Sequence, residues 1–116
     1  MVNLSKSKYC ALWQCPKMLW LRKYKPELAE VDSHTLSIME TGNAVGDLAM
    51  GLFGDFTEVT VYTDGEIDLP AMMRRTQEEI AKDTPVICEA SFEWNGLYCA
   101  VDILRREGDG WLIYEV

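Results

Sequence analysis

The sequence predicts one α+β domain in which N-terminal helices pack on a three-stranded antiparallel meander. Apolar residues recur at helical spacing over 33–54 and again over 68–83. Residues 86–116 divide into three β-rich runs at "NG" and "EGDG", both of which are hairpin-turn chemistry. With 116 residues, 48% of them hydrophobic, the chain has the size and apolar content of a single small core.

Taken in order, Ser5 or Ser7 can cap a first short helix, and Pro16 suits the first turn of a second, "PKMLWLRKY". The "KP" at 25–26 ends it, and residues 1–26 form a basic helical arm. From Ser33 a central helix places Leu36, Met39, Val45, Leu48, Ala49, Leu52 and Phe53 at helical spacing, with Gly54 as the expected C-cap. Gly42 and Gly46, four apart, leave a flat strip where a strand or another chain's backbone can approach. "TEVTVYT" reads as a short strand. The helix over 68–83 has Asp68 as its cap and Pro70 in its first turn. It pairs Arg74 with Glu78 and Arg75 with Glu79 at i,i+4, as an exposed helix would.

No apolar run approaches the ~20 residues of a membrane span, and "MVNLSKSKYC" lacks the apolar stretch of a signal peptide, so a cytoplasmic protein without a membrane partner is expected. Four irregularly spaced cysteines then stay as thiols or metal ligands. The net charge of −8 is unevenly divided. Residues 1–26 hold six of the eleven basic side chains, Lys6, Lys8, Lys17, Arg22, Lys23 and Lys25, and none of the nineteen acids. This arm, interleaved with Tyr9, Trp13, Trp20 and Tyr24, has the composition to track phosphates and stack on bases. The alternative is an amphipathic helical pair with solvated lysines and its aromatics in the core.

The turns set the register of the meander. A two-residue Asn95-Gly96 turn puts Trp94 opposite Leu97, Phe92 opposite Cys99, and Glu89 opposite Asp102. A turn on Gly108-Asp109 then puts Asp102 opposite Glu115, whereas one on Asp109-Gly110 would move Glu115 opposite Leu104 and break the row. Like charges on adjacent strands, with Cβ atoms ~5 Å apart, need a cation or a bound proton. Oxygen ligands so spaced suit Mg²⁺ or Mn²⁺, and such a site suits phosphodiester hydrolysis. Strict alternation places Cys88 and Cys99 on the face opposite the acids with Cα atoms ~13 Å apart, too far for a disulfide.

The acids of "VDIL" and "YEV", with the opening "LSKSKYCALWQCPKMLWLRKYKPEL", the "GNAVGDLAMGLF" helix and "CEASFEWNGLYCAVDIL", resemble the PD-(D/E)XK nuclease superfamily. The likeness is to its RecB-like and CRISPR-associated exonuclease branch and spans almost the whole chain. It implies a metal-dependent nuclease acting on DNA, with Asp102 as first metal-binding acid and Glu115 as the acid of an E-x-K motif. It further implies the Val116 carbonyl as main-chain ligand and Glu89 as an acid that binds metal or supports the site. Lys6, Lys8, Lys17, Arg22 and Lys23 are the expected nucleic-acid contacts.

The resemblance places the motif lysine at 117, so "LIYEV" is expected to be the third strand of a core that continues on polypeptide beyond this chain, and the fragment is expected to hold most of a metal site without being a complete, active enzyme. The sheet edge so exposed invites self-association. Related nucleases carry a G-x-x-x-H histidine where "GNAVG" has Gly46, and His34 stands outside that pattern. Many also hold a [4Fe–4S] cluster with one leading and three trailing cysteines. Cys15, or less readily Cys10, would lead, and the cluster would form only in a longer chain.

Overall fold

The computed structural model describes residues 2–116 as an α+β arrangement of four helices and a curled mixed sheet. The two-residue strand β1 (Leu4–Ser5) leads directly into helix α1 (Lys6–Gln14). Ser5, not Ser7, is the cap, and its hydroxyl accepts the Lys8 amide at 3.3 Å. Pro16 opens α2 (Pro16–Tyr24), which stops before Lys25-Pro26 because a residue preceding proline is driven out of the helical region. Tyr9, Trp13, Trp20 and Tyr24 are all exposed, Trp13 by 75%, so the aromatics of this pair do not lie in the core.

Helix α3 (Ser33–Met50) is capped by Asp32, whose carboxylate accepts the Thr35 amide at 2.7 Å. The expected C-cap at Gly54 is corrected to Gly51. The chain past Met50 tightens into three-residue closures, Leu52 to Ala49 and Gly54 to Gly51, and Gly54 takes a left-handed φ of 93° in the turn that follows. No residue of α3 is fully buried. It meets the sheet near its end, through Ala49 and Met50, and leaves Leu36, Ile38, Met39, Val45 and Leu48 exposed.

The single strand expected at "TEVTVYT" is split. β2 (Thr57–Glu58) pairs with the main sheet, whereas β3 (Tyr62–Thr63) forms a separate hairpin with β4 (Glu66–Ile67). Between them Val59 turns wholly inward and its amide donates to the Cys88 carbonyl at 3.1 Å, which ends the run. Asp64 and Gly65, both left-handed, close the small hairpin.

Helix α4 (Leu69–Ala81) begins as expected: the Asp68 carboxylate accepts the Ala71 amide at 2.9 Å and Pro70 lies in the first turn. Rather than standing exposed, it presses Ala71, Met72 and Thr76 into the core. Among the described residues neither i,i+4 ion pair closes, and for Arg75 and Glu79 other partners are nearer. The Arg75 guanidinium donates to the carbonyls of Thr60 and Glu58, and Glu79 accepts from Lys82 and Thr84.

The strands β5 (Val86–Trp94), β6 (Leu97–Glu107) and β7 (Gly110–Tyr114) pair antiparallel in the registers the turns imply: Trp94 with Leu97, Phe92 with Cys99, Ile103 with Tyr114. Asn95 and Gly96 both have positive φ, as a type I′ turn needs. The sheet is nevertheless five-stranded. β2 adds in parallel beside β5, and β1 adds in parallel beside β6. Since β5 covers one edge of β6 throughout, β1 and β7 share the other. β1 sits at Leu97–Tyr98 and β7 at Ile103–Glu107, and their chain directions point at one another.

The core lies on both faces of this sheet. Ile87, Ala90, Val101, Leu104 and Val59 pack together with Ile80 of α4, while Val86, Cys88 and Ile103 pack with Ala49 and Met50 of α3. Ile87 and Ala90, three apart, share a face, as do Val101 and Leu104. Strict alternation would separate them, so it is reset between, at Glu89 and Asp102, where no ladder pair forms and Glu89 has φ 59°. Among the described residues no helix is long and apolar enough to cross a membrane.

Candidate active site

The interruption at Glu89 and Asp102 opens onto a cavity of about 530 Å³ beside the C-terminal half of α3. One wall is helical: Gly42, Asn43, Gly46 and Asp47 come to it from successive turns. The opposite wall carries Glu89, Asp102 and Val116, with Tyr62 from the small hairpin. The glycine strip therefore faces open space, not a strand or another backbone; a Cβ added at Gly42 or Gly46 would meet nothing within 4 Å. What the missing side chains leave is the width of the cleft.

The expected row of acids is brought together in part. Glu89 and Asp102 stand opposite each other and both line the cavity. Asp102 Oδ2 accepts the Val116 amide at 2.8 Å, which holds the end of the third strand against the second beyond its last ladder pair. Glu115 follows at the register position opposite Asp102, but it does not line the cavity; its carboxylate is ion-paired with the Lys6 ammonium. Burial pushes the Glu89 carboxyl above its ordinary value, and the negative charges of Asp102, Glu58 and Glu115 push it the same way against the opposing pull of Lys6. The pairing with Glu115 raises Lys6 in turn.

Asp47 is the acid that reading the sequence missed. It stands one residue past Gly46 and four past Asn43, so the spacing of the two glycines does not single it out, and only the placement of α3 over the sheet brings it to the cavity. Conversely, the alternation argument misplaced Cys88: the reset at Glu89 turns it toward α3, onto the side of the cavity, where it is buried and its thiol is pushed up to about 11. His34 lies exposed in the first turn of α3 and does not line the cavity.

The nucleic-acid candidates separate into two groups. Lys8, Lys17, Arg22 and Lys23 are exposed on α1 and α2, and Lys6 is drawn to the acids. Cys15 sits at the junction of α1 and α2. Cys10, Cys15, Cys88 and Cys99 are all free thiols on different elements, and among the described residues no three of them gather into a ligand set.

Among the described residues no three Asp, Glu, His or Cys side chains gather closely enough to hold one ion between them. Mg²⁺ does not require three, since it is commonly held by one or two carboxylates with waters and substrate phosphate. Asp102 and Glu115, hard oxygen donors on adjacent strands at one register position, fit that description, with Glu89 across the strand pair and Val116 lining the cleft beside Asp102. Comparison with models of known protein families, with curated proteins and with solved structures finds no match to this chain.

Proposed function

We propose that this chain is a metal-dependent nuclease domain acting on DNA phosphodiester bonds. The observation that carries the reading is the convergence of Glu89, Asp102 and Val116 on one open cleft, with Glu115 outside it at the register position opposite Asp102, held there by two hairpin turns and the Val116–Asp102 hydrogen bond. Burial and, after it, the neighbouring acids raise Glu89, and a divalent cation would relieve the crowding of charge. A bound Mg²⁺ or Mn²⁺ would supply phosphate polarisation and a water of lowered pKa. The chain's own part is to hold Asp102 and Glu115 at one register position, to leave room along Gly42 and Gly46 for a strand, and to offer Lys8, Lys17, Arg22 and Lys23 to its phosphates. The resemblance in "VDIL" and "YEV" supports the same reading.

The test is Mn²⁺ binding by calorimetry together with cleavage of end-labelled DNA by the wild type and Asp102→Ala. The expected result is metal binding by the wild type that Asp102→Ala loses, and cleavage by the chain once joined to a segment that supplies the motif lysine, which the same substitution abolishes. Cleavage undiminished by the substitution overturns the assignment.

A second reading is a nonenzymatic nucleic-acid- or protein-binding module with a relic metal site, and its nucleic-acid form is favoured by the exposed Trp13, Trp20 and Tyr24 among the basic side chains of the arm. That form requires DNA binding that depends on salt and not on metal. Removal of the arm's charges without loss of binding overturns it.

A further inference from the structure

Lys6 and Glu115 lie 109 positions apart and meet because of how the sheet is assembled. β1 and β7 lie on the same edge of β6 and advance toward each other, with Ser5 opposite Tyr98 and Tyr114 opposite Ile103. Lys6 is the next residue beyond β1 and Glu115 the next beyond β7, so the two enter the interval over Cys99–Asp102 from opposite ends. Backbone contacts hold β1 there: the Asn3 and Leu4 amides both donate to the Gly96 carbonyl, at 2.8 and 3.1 Å. The ammonium is therefore delivered to the acids by strand pairing, not by the wandering of a long surface side chain.

This places a positive charge on one of the two carboxylates that a divalent ion would need. Asp102 lies in the same interval and its field also acts on Lys6. The ammonium and a metal ion compete for the Glu115 oxygens, and both cannot hold them fully at once.

We propose that Lys6 is the resident cation of this acid pair, neutralising Glu115 until a divalent ion displaces it. The proposal rests on the metal-site reading above. Its consequence is a coupling between the site and the arm: metal entry releases a cation at the start of α1, where it joins the basic surface offered to phosphate. The Lys6 and Glu115 side chains are 46% and 50% exposed, so water screens the pair and the competition is mild, about fivefold in metal affinity at most.

The experiment is calorimetric titration of Mn²⁺ into the wild type, Lys6→Gln and Lys6→Arg. Lys6→Gln is expected to bind Mn²⁺ roughly fivefold more tightly and Lys6→Arg to stay near the wild type. Wild-type binding with Lys6→Gln equal or weaker overturns the displacement and leaves the metal site standing, whereas no binding by any of the three overturns both. A measurement on the wild type alone guards against a variant that folds poorly. In a spectrum of ¹⁵N-lysine ammonium groups, saturation with Mg²⁺ is expected to move the Lys6 signal to the position of a free lysine, and an unmoved signal at saturation overturns the proposal.

Discussion

Glu89 faces Asp102 across β5 and β6 at the position where the ladder breaks, with Glu89 held in the left-handed region at φ 59°. A left-handed glutamate and two opposed acids are both unfavourable, of the order of 1–2 kcal/mol for the backbone alone. Strain of this kind persists where surrounding pairs over-determine it. Here the regular ladder on either side, Cys88 with Ile103 and Ala90 with Val101, does so.

Glu89→Gln is expected to stabilise the protein at neutral pH. A carboxyl whose folded pKa lies above its unfolded value holds its proton more tightly when folded, so stability falls as pH rises from the ordinary 4.5 through the raised value. The substitution removes that loss and leaves the backbone strain in place. Melting curves should show the variant roughly 2–5 °C above the wild type at pH 7, with the gap closing below about pH 4. A gap that does not change with pH would assign the effect to packing instead.

Thr76→Val should cost about 1–3 kcal/mol in a urea titration, because it strands a buried amide. Thr76 is fully buried, and its hydroxyl donates to the Met72 carbonyl and accepts the Ser91 amide at 2.9 Å, tying α4 to β5. Thr76→Ser keeps both bonds and should recover most of the loss.

Gly96→Ala should cost about 1–2 kcal/mol through its backbone. Gly96 has φ 81°, and an added Cβ would come within 2.7 Å of the Asn3 side-chain nitrogen. That atom ends a flexible side chain and can move aside, but the left-handed φ cannot be relieved. Combining the change with Asn3→Ala should therefore leave most of the cost. Hydrogen exchange at the Leu4 amide, bonded to Gly96, reports whether β1 loosens with it.

Replacing Lys17, Arg22 and Lys23 together by Gln should weaken duplex DNA binding and reduce its salt dependence by about two to three in log–log slope. The three side chains are exposed on α2 and make no contact with the acid cleft. An unchanged slope in a fluorescence titration over a range of salt would remove the arm from the binding surface.

Local chemistry accounts for what could be read without coordinates. The Asn95-Gly96 turn dictates the register of β5 and β6, and with it the opposition of Glu89 and Asp102, whereas "EGDG" admits two turns and the β6–β7 pairing decides for Gly108-Asp109, which places Glu115 opposite Asp102. Pro16, Asp68 and Pro70 likewise act within a few residues of themselves and mark helix starts where they occur.

The remainder depends on contacts that have no local signature. Two-residue strands such as β1 and β2 are too short to carry a pattern, and they exist only because a longer neighbour offers them an edge. Their docking turned three strands into five. The left-handed Glu89 is set by the ladder on both sides of it, and it reversed the face assigned to Cys88. The sequence by itself determined which residues pair across the Asn95-Gly96 turn and narrowed the second turn to two registers, of which the folded hairpin takes the one on Gly108-Asp109. Tertiary structure alone decided that Lys6 meets Glu115 and that Asp47 shares a cleft with Glu89 and Asp102, since these are meetings of segments far apart in the chain, and only the assembled sheet and helices set their distances.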